Sequence, residues 1–460
     1  MNAQPVIAVF DVGKTNKKLF LFDEHYRIVF EKSARFIETA DEDGFACENT
    51  ESLRLSVFDS LYEVFRLKEF EVKAITFSAY GASFVHVDEQ GNPLTPLYNY
   101  LKAYPEELSR QLYANYGGEE KFSIDTASPL LGSLNSGLQL LRLKHEKPEI
   151  FKRLKYALHL PQYLSFLLTG QFCSDMTSIG CHTALWDFEK KQYHEWVQQE
   201  GIALKLAPIL PSDAVLPGVF PGSGYKVGVG LHDSSAALIP YLVSFNEPFI
   251  LLSTGTWCIS LNPFNSSPLT PAELEQDCLR YIQFRDQPVK ASRLFSGYEH
   301  EQQVKRIAEH FNQDSIKYRN IPFEPAIVTK LQKNTTPDAQ AVSLKQCRFS
   351  TRNLESFSDD IEAYHQLIID LIAQQVCSTS LILNNTGIKR LFVDGGFSKN
   401  SIFMHLLAMA FPDIEVYAAS MAQASAIGAA LSIHAEWNTY PVPKDIIQLN
   451  YYSSGQTVAI

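Results

Sequence analysis

Two segments of the chain share one arrangement of hydrophobic and polar positions. Near its start, the apolar runs Val6 to Phe10 and Leu19 to Phe22 flank a polar turn that contains glycine. About midway along the chain, Phe249 to Leu252 and Trp257 to Leu261 flank the hydroxyl-rich turn 253–256. Each segment predicts a strand, a turn and a second strand. Their repetition at domain-scale spacing favours an internal duplication.

Helices and one further hairpin are predicted from residue spacing. Apolar side chains recur on one face over residues 361–372 and again over 403–410. Segments 138–143 and 150–158 also predict helices, on either side of a proline. The run from Ala74 to Val87 predicts a hairpin that turns at a Tyr-Gly pair. Strands and helices are therefore expected in both halves.

A segment rich in proline and glycine divides the chain. Seven residues between Ala207 and Tyr225 are proline or glycine, which predicts a loop. A length of 460 residues allows two to three domains. We place the boundary just after the loop and expect two domains, residues 1–238 and 239–460.

Composition and charge exclude several classes of protein. The net charge of −11 opposes a nucleic-acid surface, which needs clustered Lys and Arg. No apolar run is long enough to span a membrane, and the N-terminus lacks the pattern of a signal peptide. The seven cysteines are scattered without a CxxC pair, which favours a reducing compartment. We expect a cytoplasmic protein with no nucleic-acid or membrane partner.

The first turn carries residue types that bind phosphate. Asp11 lies at a predicted strand end and offers a carboxylate for a metal ion, beside the backbone N–H groups around Gly13. Lys14 and Thr15 add a cation and a hydroxyl. A phosphate and its metal need all of these groups at close range. An ordinary hairpin turn has the same composition, so both interpretations stay open for this segment alone.

Two later turns have a similar character. In 253–256, glycine allows close backbone approach and the hydroxyls can face a phosphate. In 394–400, Gly395 and Gly396 separate a predicted strand from a helix, whose N-terminal N–H groups favour anions. The second of these turns does not match the GxGxxG fingerprint. Each turn alone could equally be structural.

A His-Asp pair follows a glycine-spaced apolar run. Asp233 precedes Ser-Ser-Ala-Ala and could be an acid at a helix start inside a cleft. The alternative is a helix N-cap, for which Asp is a preferred residue. His232 is interpreted as a packed or orienting neighbour of Asp233, since no metal-ligand spacing indicates a zinc site.

The order of these elements resembles the FGGY carbohydrate kinases, which belong to the actin-like, ribonuclease-H-like ATPases. The resemblance covers essentially the whole chain. The positions similar to the family motifs are Asp11, Gly13 and Thr15 in D-x-G-T-T-S-x-R, Gly230 to Asp233 in G-x-x-D, Ser253 to Thr256 in the second phosphate loop, Gly395 to Asn400 in the nucleoside turn, and 423–430 in E-x-x-A-x-G-A-A. Gln423 replaces the glutamate of the last motif.

The resemblance implies a fold, cofactors and residue roles. The fold would be α/β, with two actin-like domains of mixed sheets flanked by helices and an active site in the cleft between them. ATP and Mg²⁺ are implied, with Asp11 as the metal ligand and Asp233 as the base that accepts the proton of a primary sugar hydroxyl. The residues implied to contact the nucleotide are Gly13, Lys14, Thr15, Asn16, Gly255, Thr256, Gly395, Gly396, Ser398, Asn400 and Gln423.

The sugar contacts are expected in the first domain. Asp233 would share this role with four residues whose aromatic faces or polar tips suit a sugar: Tyr80, Ser83, Tyr100 and His232. Where the family has a W-x-D-x-R element, this chain has Tyr100-Leu101-Lys102, so the acidic residue of that element is absent. Within this resemblance, the Thr15-Asn16 pair and the Tyr-Gly turn favour L-fuculose or L-rhamnulose as substrate, with D-xylulose as the nearest competitor. We expect a monomer or homodimer.

Two other functions fit the same fold. An actin-like or chaperone-like ATPase explains the phosphate turns but gives no role to residues 79–102. A catalytically dead regulator is conceivable because Lys102 and Gln423 depart from the family pattern.

Overall fold

Among the described residues, the strands form two large sheets and four two-stranded ribbons. The computed structural model describes residues 3–14, 17–33, 38–222, 224–334, 342–383, 386–421 and 423–453. The strands are, in chain order, β1 Gln4–Val12, β2 Lys17–Asp23, β3 Ile28–Ser33, β4 Glu38–Ala40, β5 Ala46–Glu48, β6 Phe70–Ala79, β7 Phe84–Val87, β8 Tyr156–His159, β9 Ser174–Asp175, β10 Trp186–Asp187, β11 Gln192–Tyr193, β12 Ile209–Leu210, β13 Val215–Pro217, β14 Lys226–Gly228, β15 Leu231–His232, β16 Phe249–Thr254, β17 Cys258–Asn262, β18 Cys278–Ile282, β19 Pro288–Leu294, β20 Arg390–Gly395, β21 Glu415–Ser420 and β22 Gln448–Tyr452.

The α-helices lie between these strands in both halves. They are α1 Thr50–Arg66, α2 Glu106–Asn115, α3 Gly118–Thr126, α4 Ser136–Glu146, α5 Pro148–Arg153, α6 Leu160–Thr169, α7 Met176–Ile179, α8 Glu195–Gln199, α9 Asp233–Ser244, α10 Pro271–Glu275, α11 Ser296–His310, α12 Pro325–Asn334, α13 Asp360–Ser380, α14 Ser401–Ala410, α15 Ala424–Ser432 and α16 His434–Trp437. Within the described ranges, none of them combines the length and the apolar character needed to cross a membrane.

The first sheet is built around β1, whose residues Val6 to Phe10 are buried. A strand that is apolar at successive positions is covered on both faces, so it belongs at the centre of a sheet. The strand order is β13-β14-β6-β1-β2-β3, and β15 also pairs with β6. β1, β6, β14 and β15 run parallel, while β2 and β13 are antiparallel to their neighbours. The carboxyl ends of β1, β6 and β15 therefore lie together at one edge.

The second sheet repeats this arrangement. Its order is β18-β19-β17-β16-β20-β21-β22. Its central strand β16 pairs antiparallel with β17 on one side and parallel with β20 on the other, as β1 does with β2 and β6. The five-strand order β19-β17-β16-β20-β21 matches β3-β2-β1-β6-β14. This repetition agrees with the internal duplication predicted from the sequence, and the predicted α/β fold with two mixed sheets is confirmed.

Two helices join the halves. α9 follows the last strand of the first sheet, and α15, from the second half of the chain, packs against α9, β1 and β6. Gly428 of α15 lies so close to α9 that an added Cβ would come within 1.8 Å of the Ala236 carbonyl oxygen. The junction between the halves is therefore a tight helix crossing.

Three sequence predictions about local structure differ from the structure. Residues 74–87 form two strands, but β6 pairs in parallel with β1 and β7 pairs with β8, so they are not a hairpin. The helix predicted over 150–158 ends at Arg153, and the strand β8 follows it. The segment 207–225, predicted as a loop, contains β12 and β13. The domain boundary after residue 238 falls inside α9 and stays a prediction.

Candidate active site

Asp11 stands at the carboxyl end of the central strand of the first sheet. Its Oδ2 accepts a hydrogen bond of 2.9 Å from the hydroxyl of Ser425 on α15. The pKa of Asp11 is raised to about 6, chiefly by desolvation; the hydrogen bond from Ser425 lowers it, and the nearby charge of Asp233 adds to the increase. Asp11 and Asp233 therefore lie within electrostatic reach of each other.

Asp233 is the first residue of α9, directly after β15. The residue in the N-cap position is His232, so Asp233 is not the helix cap, which was the alternative interpretation of its sequence. Its Oδ1 accepts a hydrogen bond of 2.6 Å from the backbone N–H of Ser234. Desolvation raises the pKa of Asp233 to about 6. The side chain keeps 33% of its surface exposed, so a substrate can reach it.

His232 is buried beside Asp233. Its Nε2 lies 3.4 Å from Oδ1 of Asp233 and 3.3 Å from Sγ of Cys181, and its ring stacks on Tyr281. Burial lowers the pKa of His232 to about 4, so the imidazole is neutral near pH 7. This geometry fits a neighbour that orients the Asp233 carboxylate, as the sequence predicts.

A hydrogen-bond chain fixes the backbone at the His-Asp pair. The N–H of His232 donates to Oγ1 of Thr177 at 3.0 Å. That hydroxyl donates in turn to the fully buried carboxylate of Asp175, which also accepts a hydrogen bond from Ser212. Burial raises the pKa of Asp175 to about 6. Sequence reasoning missed Thr177 and Asp175, which act on the site through the main chain.

The predicted sugar residues Tyr80, Ser83 and Tyr100 lie in the first half. Tyr80 directly follows β6, and its N–H donates to the carbonyl of Val12 at 3.0 Å. The rings of Tyr80 and Tyr100 meet edge to face with centroids 6.1 Å apart. Burial, and then the charges of Asp233 and of Glu48, raise the pKa of Tyr100. Tyr100 therefore lies near the predicted base.

Lys14 and Glu48 complete this part of the site. The Lys14 ammonium is 3.4 Å from Oε1 of Glu48 and lies over the rings of Tyr80 and Tyr100, at 5.3 and 5.8 Å from their centroids. Glu48 was not among the predicted site residues, since it stands on a three-residue strand in an ordinary polar segment. The role of Lys14 in phosphate binding stays a prediction. Thr15 and Asn16 lie outside the described residues.

Lys102, at the departure from the family pattern, has its own acidic partners. Its ammonium lies 2.6 Å from Oδ2 of Asp41 and 2.6 Å from Oδ2 of Asp43. The side chain is buried, with 7% of its surface exposed. A lysine at this position is thus balanced by two carboxylates.

The second and third phosphate turns are tied together. Oγ1 of Thr254 donates to the carbonyl of Asp394 at 2.5 Å and accepts from the N–H of Phe397 at 3.0 Å. A Cβ on Gly395 would lie 1.9 Å from the Thr254 carbonyl oxygen, and the residue has a φ of 92°. Glycine is therefore required there by both contact and conformation.

Of the predicted nucleotide-binding residues in the third turn, two are held by hydrogen bonds and one glycine has open space beside it. Ser398 donates to the carbonyl of Gly395 at 2.8 Å, and Asn400 caps α14 and donates to the Tyr364 hydroxyl at 2.8 Å. Gly396 has open space where a side chain would begin. An open glycine beside two rigidly held polar residues leaves room for a ligand against the backbone.

Four further positions predicted to contact the nucleotide lie in the first and second turns and at the start of α15. Gly13 follows the last residue of β1. Gly255 donates its N–H to the carbonyl of Trp257 at 2.9 Å, and the Thr256 carbonyl accepts from the N–H of Tyr298 at 3.1 Å. Gln423 precedes α15 in a left-handed conformation with a φ of 63°. Its helix carries Ser425, so Gln423 lies at the end of α15 that meets Asp11.

Comparison with known proteins identifies the family through both halves. The model for the N-terminal domain of the FGGY family of carbohydrate kinases matches residues 6–234. The model described as the carbohydrate kinase FGGY C-terminal domain matches residues 246–440. Together the two matches cover most of the chain.

Two curated proteins are each similar to just over half of this chain. The chain is 26% identical to an L-fuculokinase of Escherichia coli strain K12 over 273 residues, which is 55% of this chain and 56% of that protein. It is 26% identical to a rhamnulokinase of Halalkalibacterium halodurans over 270 residues, which is 56% of this chain and 54% of that protein. These matches span little more than half the length of the curated relatives.

The fold is shared with solved sugar kinases. A carbohydrate kinase from Novosphingobium aromaticivorans superposes with a TM-score of 0.80 at 23% identity, covering 99% of this chain and 95% of that one. A xylulose kinase from Lactobacillus acidophilus gives a TM-score of 0.77 at 16% identity, covering 97% and 93%. These likenesses establish the fold. The matches to both domain models show that the chain belongs to the FGGY family of carbohydrate kinases.

Proposed function

We propose that this protein is an ATP-dependent kinase that phosphorylates a primary hydroxyl of a small ketose. The observation that supports it most directly is the pair of carboxylates at one sheet edge. Asp11 and Asp233 end two parallel strands that flank β6, and each has a pKa raised to about 6. Titratable groups with shifted pKa values in a cleft are typical of catalytic sites.

Asp233 is the proposed base. The oxygen of the sugar hydroxyl forms a bond to the γ-phosphorus while the bond from that phosphorus to the β,γ-bridging oxygen breaks, and the hydroxyl proton passes to Asp233. Phosphoryl transfer depends chiefly on positioning and charge neutralisation. The helix start and the neutral His232 hold the carboxylate, and a raised pKa makes it a better proton acceptor.

The residues present fit Mg²⁺. Asp11 offers oxygen to a hard cation, and the repulsion between it and Asp233 indicates a place where positive charge is favourable. We propose that Asp11 holds the ion, which supplies charge neutralisation at the phosphates.

The nucleotide is proposed to lie against the turns of the second sheet, with its phosphates reaching the first turn at residues 13–16. The residues in this role are Gly13, Lys14, Thr15, Asn16, Gly255, Thr256, Gly395, Gly396, Ser398, Asn400 and Gln423. The exposed backbone at Gly396 supports it, because a nucleotide can approach a glycine closely. Residues 1–238 would then carry the sugar and 239–460 the nucleotide.

The proposed substrates are deoxyketohexoses of the L-fuculose and L-rhamnulose type, with D-xylulose as the competitor. The first choice is supported by the names of the curated relatives, an L-fuculokinase and a rhamnulokinase. Tyr80, Ser83, Tyr100 and His232 are proposed to contact the sugar.

The test is ADP release with purified protein, ATP, Mg²⁺ and a panel of ketoses, with the product identified by NMR. Release that depends on a ketose, with a phosphate ester at a primary carbon, is expected. Release at the same rate without sugar would identify an ATPase instead. Nucleotide binding with no release on any sugar would identify a catalytically inactive regulator.

A further inference from the structure

Glu48 is a buried carboxylate with one unsatisfied oxygen. It ends β5 and has 1% of its side chain exposed. Lys14 and Lys17 lie 3.4 and 3.3 Å from Oε1. Oε2 has no hydrogen-bond partner among the described residues. A buried carboxylate oxygen without a partner is costly, so this arrangement indicates a ligand that donates a hydrogen bond.

Two neutral polar groups beside Glu48 are also buried without a hydrogen-bond partner among the described residues. The hydroxyl oxygens of Tyr80 and Ser83 are buried and lack partners within the described part of the chain. Burial, and then the charge and proximity of the Glu48 carboxylate, raise the pKa of Tyr80, while the Ser83 hydroxyl lowers it, so the three side chains lie beside one another. Three unsatisfied polar atoms thus converge on one small region.

This region extends towards the proposed base. The charges of both Asp233 and Glu48 raise the pKa of Tyr100, so its hydroxyl lies within electrostatic range of each carboxylate. The N–H of Glu48 donates to the carbonyl of Leu97 at 3.2 Å, which holds β5 against the segment that carries Tyr100. A ligand that reaches from Asp233 to Glu48 would pass the aromatic rings of Tyr80 and Tyr100.

The lysines explain how the carboxylate is held in place. Lys14 is fixed by Glu48 and by the two rings beneath its ammonium group. Both ammonium groups approach the same oxygen, Oε1, and balance the charge of Glu48 without occupying Oε2. Oε2 therefore keeps its accepting capacity unused among the described residues.

We propose that Glu48 determines sugar specificity: its Oε2 accepts a hydrogen bond from a ketose hydroxyl remote from the one that Asp233 deprotonates, with Tyr80 and Ser83 binding neighbouring hydroxyls. This inference rests on the proposed function. A site built to hydrogen-bond a hydroxyl rejects an analogue that lacks it by about 10⁴-fold or more, because its buried polar group stays unpaired. The ligand class is a ketose with several free hydroxyls, and glycerol and dihydroxyacetone are too short.

The test is Glu48→Gln, which keeps the shape and removes the charge. We expect the KM for the sugar to rise about 10- to 100-fold, by a larger factor than the KM for ATP, since Glu48 also positions Lys14 of the proposed nucleotide site. Discrimination between the preferred ketose and its single-deoxy analogues should fall most for the hydroxyl bound by Glu48. The control is Glu51→Gln, an exposed residue paired with Arg54 one turn into α1, which should leave both constants unchanged.

Binding measurements separate this inference from the proposed function. Calorimetric titration of the same ketoses into wild type and Glu48→Gln needs no turnover, so it tests Glu48 even if no phosphorylation occurs. Should Glu48→Gln not fold, Tyr80→Phe removes one hydroxyl only and should raise the sugar KM, or Kd, about three- to tenfold. Unchanged sugar affinity in a folded variant, or an equal loss for every sugar and deoxy analogue, would overturn the inference.

Discussion

The hydroxyl of Ser425 donates a hydrogen bond of 2.9 Å to Oδ2 of Asp11, joining residues from opposite ends of the chain. Asp11 belongs to the first sheet, whereas Ser425 is on α15, which follows β21 of the second sheet. The proposed metal ligand is therefore set by both halves at once. A relative movement of the halves would change the environment of Asp11 directly.

The activity of the wild-type protein should depend on two carboxylates in mildly acidic solution. The pKa values of Asp11 and Asp233 are both about 6, and the role proposed for each requires its ionised form. We expect kcat/KM to decrease as the pH is lowered through about 6. The plot of log(kcat/KM) against pH should be steeper there than the titration of a single proton gives. His232, with a pKa of about 4, adds no titration between pH 5 and 8. Initial rates from pH 5 to 8.5 check this, and a profile flat to pH 5 would contradict it.

Ser425→Ala should move the acidic limb of that profile to higher pH. The Ser425 hydroxyl stabilises the ionised form of Asp11, so its loss raises the pKa of Asp11. ATP itself gains a proton in this range, but this contribution cancels when variant and wild type are compared. The control is Ser432→Ala on the same helix, where the hydroxyl donates to the Ala429 carbonyl. Coincident profiles for Ser425→Ala and wild type would show that the contact has no influence on catalysis.

Asp233→Asn should nearly abolish turnover. General-base assistance contributes about 10² to 10⁴-fold, and an amide cannot accept the proton. ATP affinity should be unchanged. The matched control is Asp413→Asn, an exposed substitution in the turn before β21, at the opposite end of the second sheet from its phosphate turns. Retention of more than about a tenth of the wild-type kcat by Asp233→Asn would refute its assignment as the base.

Thermal unfolding of the same variant shows whether its fold is intact. The folded pKa of Asp233 is raised, so this carboxyl supports stability below its unfolded value and loses that contribution as the pH rises through about 6. Asp233→Asn should therefore unfold at a higher temperature than wild type at pH 8, and at a similar or lower one at pH 4.

The sequence predicted elements whose signal is local. The strand pairs around residues 11–18 and 253–256 and the helices α13 and α14 are present because alternation of apolar runs with turns, and helical spacing, depend on near neighbours. The hairpin at 74–87 was wrong because partner choice is not local. β6 inserts beside β1, and β7 finds β8 about 70 residues later.

The site was predicted in part for the same reason. Asp11 and Asp233 stand at the ends of apolar strands, where the sequence marks them. Glu48 and Thr177 have no such mark, since each gains its role from a contact with a distant segment, at Lys14 and His232 respectively. A single sequence carries no signal for those contacts.

Thr177→Val should lower kcat by disturbing the main chain at the base. The substitution keeps the shape, but it leaves the N–H of His232 and the carboxylate of Asp175 without this hydroxyl. We expect kcat to fall about 10-fold or more, and the free energy of unfolding to decrease by about 1 to 3 kcal/mol. Thr126→Val is the control, because that buried hydroxyl donates only within α3, to the Phe122 carbonyl. If Thr177→Val lowers stability but leaves kcat unchanged, the hydrogen bonds from His232 through Thr177 to Asp175 have only a structural role.

Gly428→Ala should weaken the crossing of α9 and α15. The new Cβ would lie 1.8 Å from the Ala236 carbonyl oxygen, which is backbone and cannot move aside alone. The helices must separate, at a cost of about 1 to 3 kcal/mol, even though alanine favours a helix. The control is Gly222→Ala, where the nearest atom to the added Cβ is 3.7 Å away. Denaturant titration should show a lower midpoint for Gly428→Ala alone. Because α15 carries Ser425, its kcat should fall as well, and a stable variant with full activity would show that the crossing tolerates expansion.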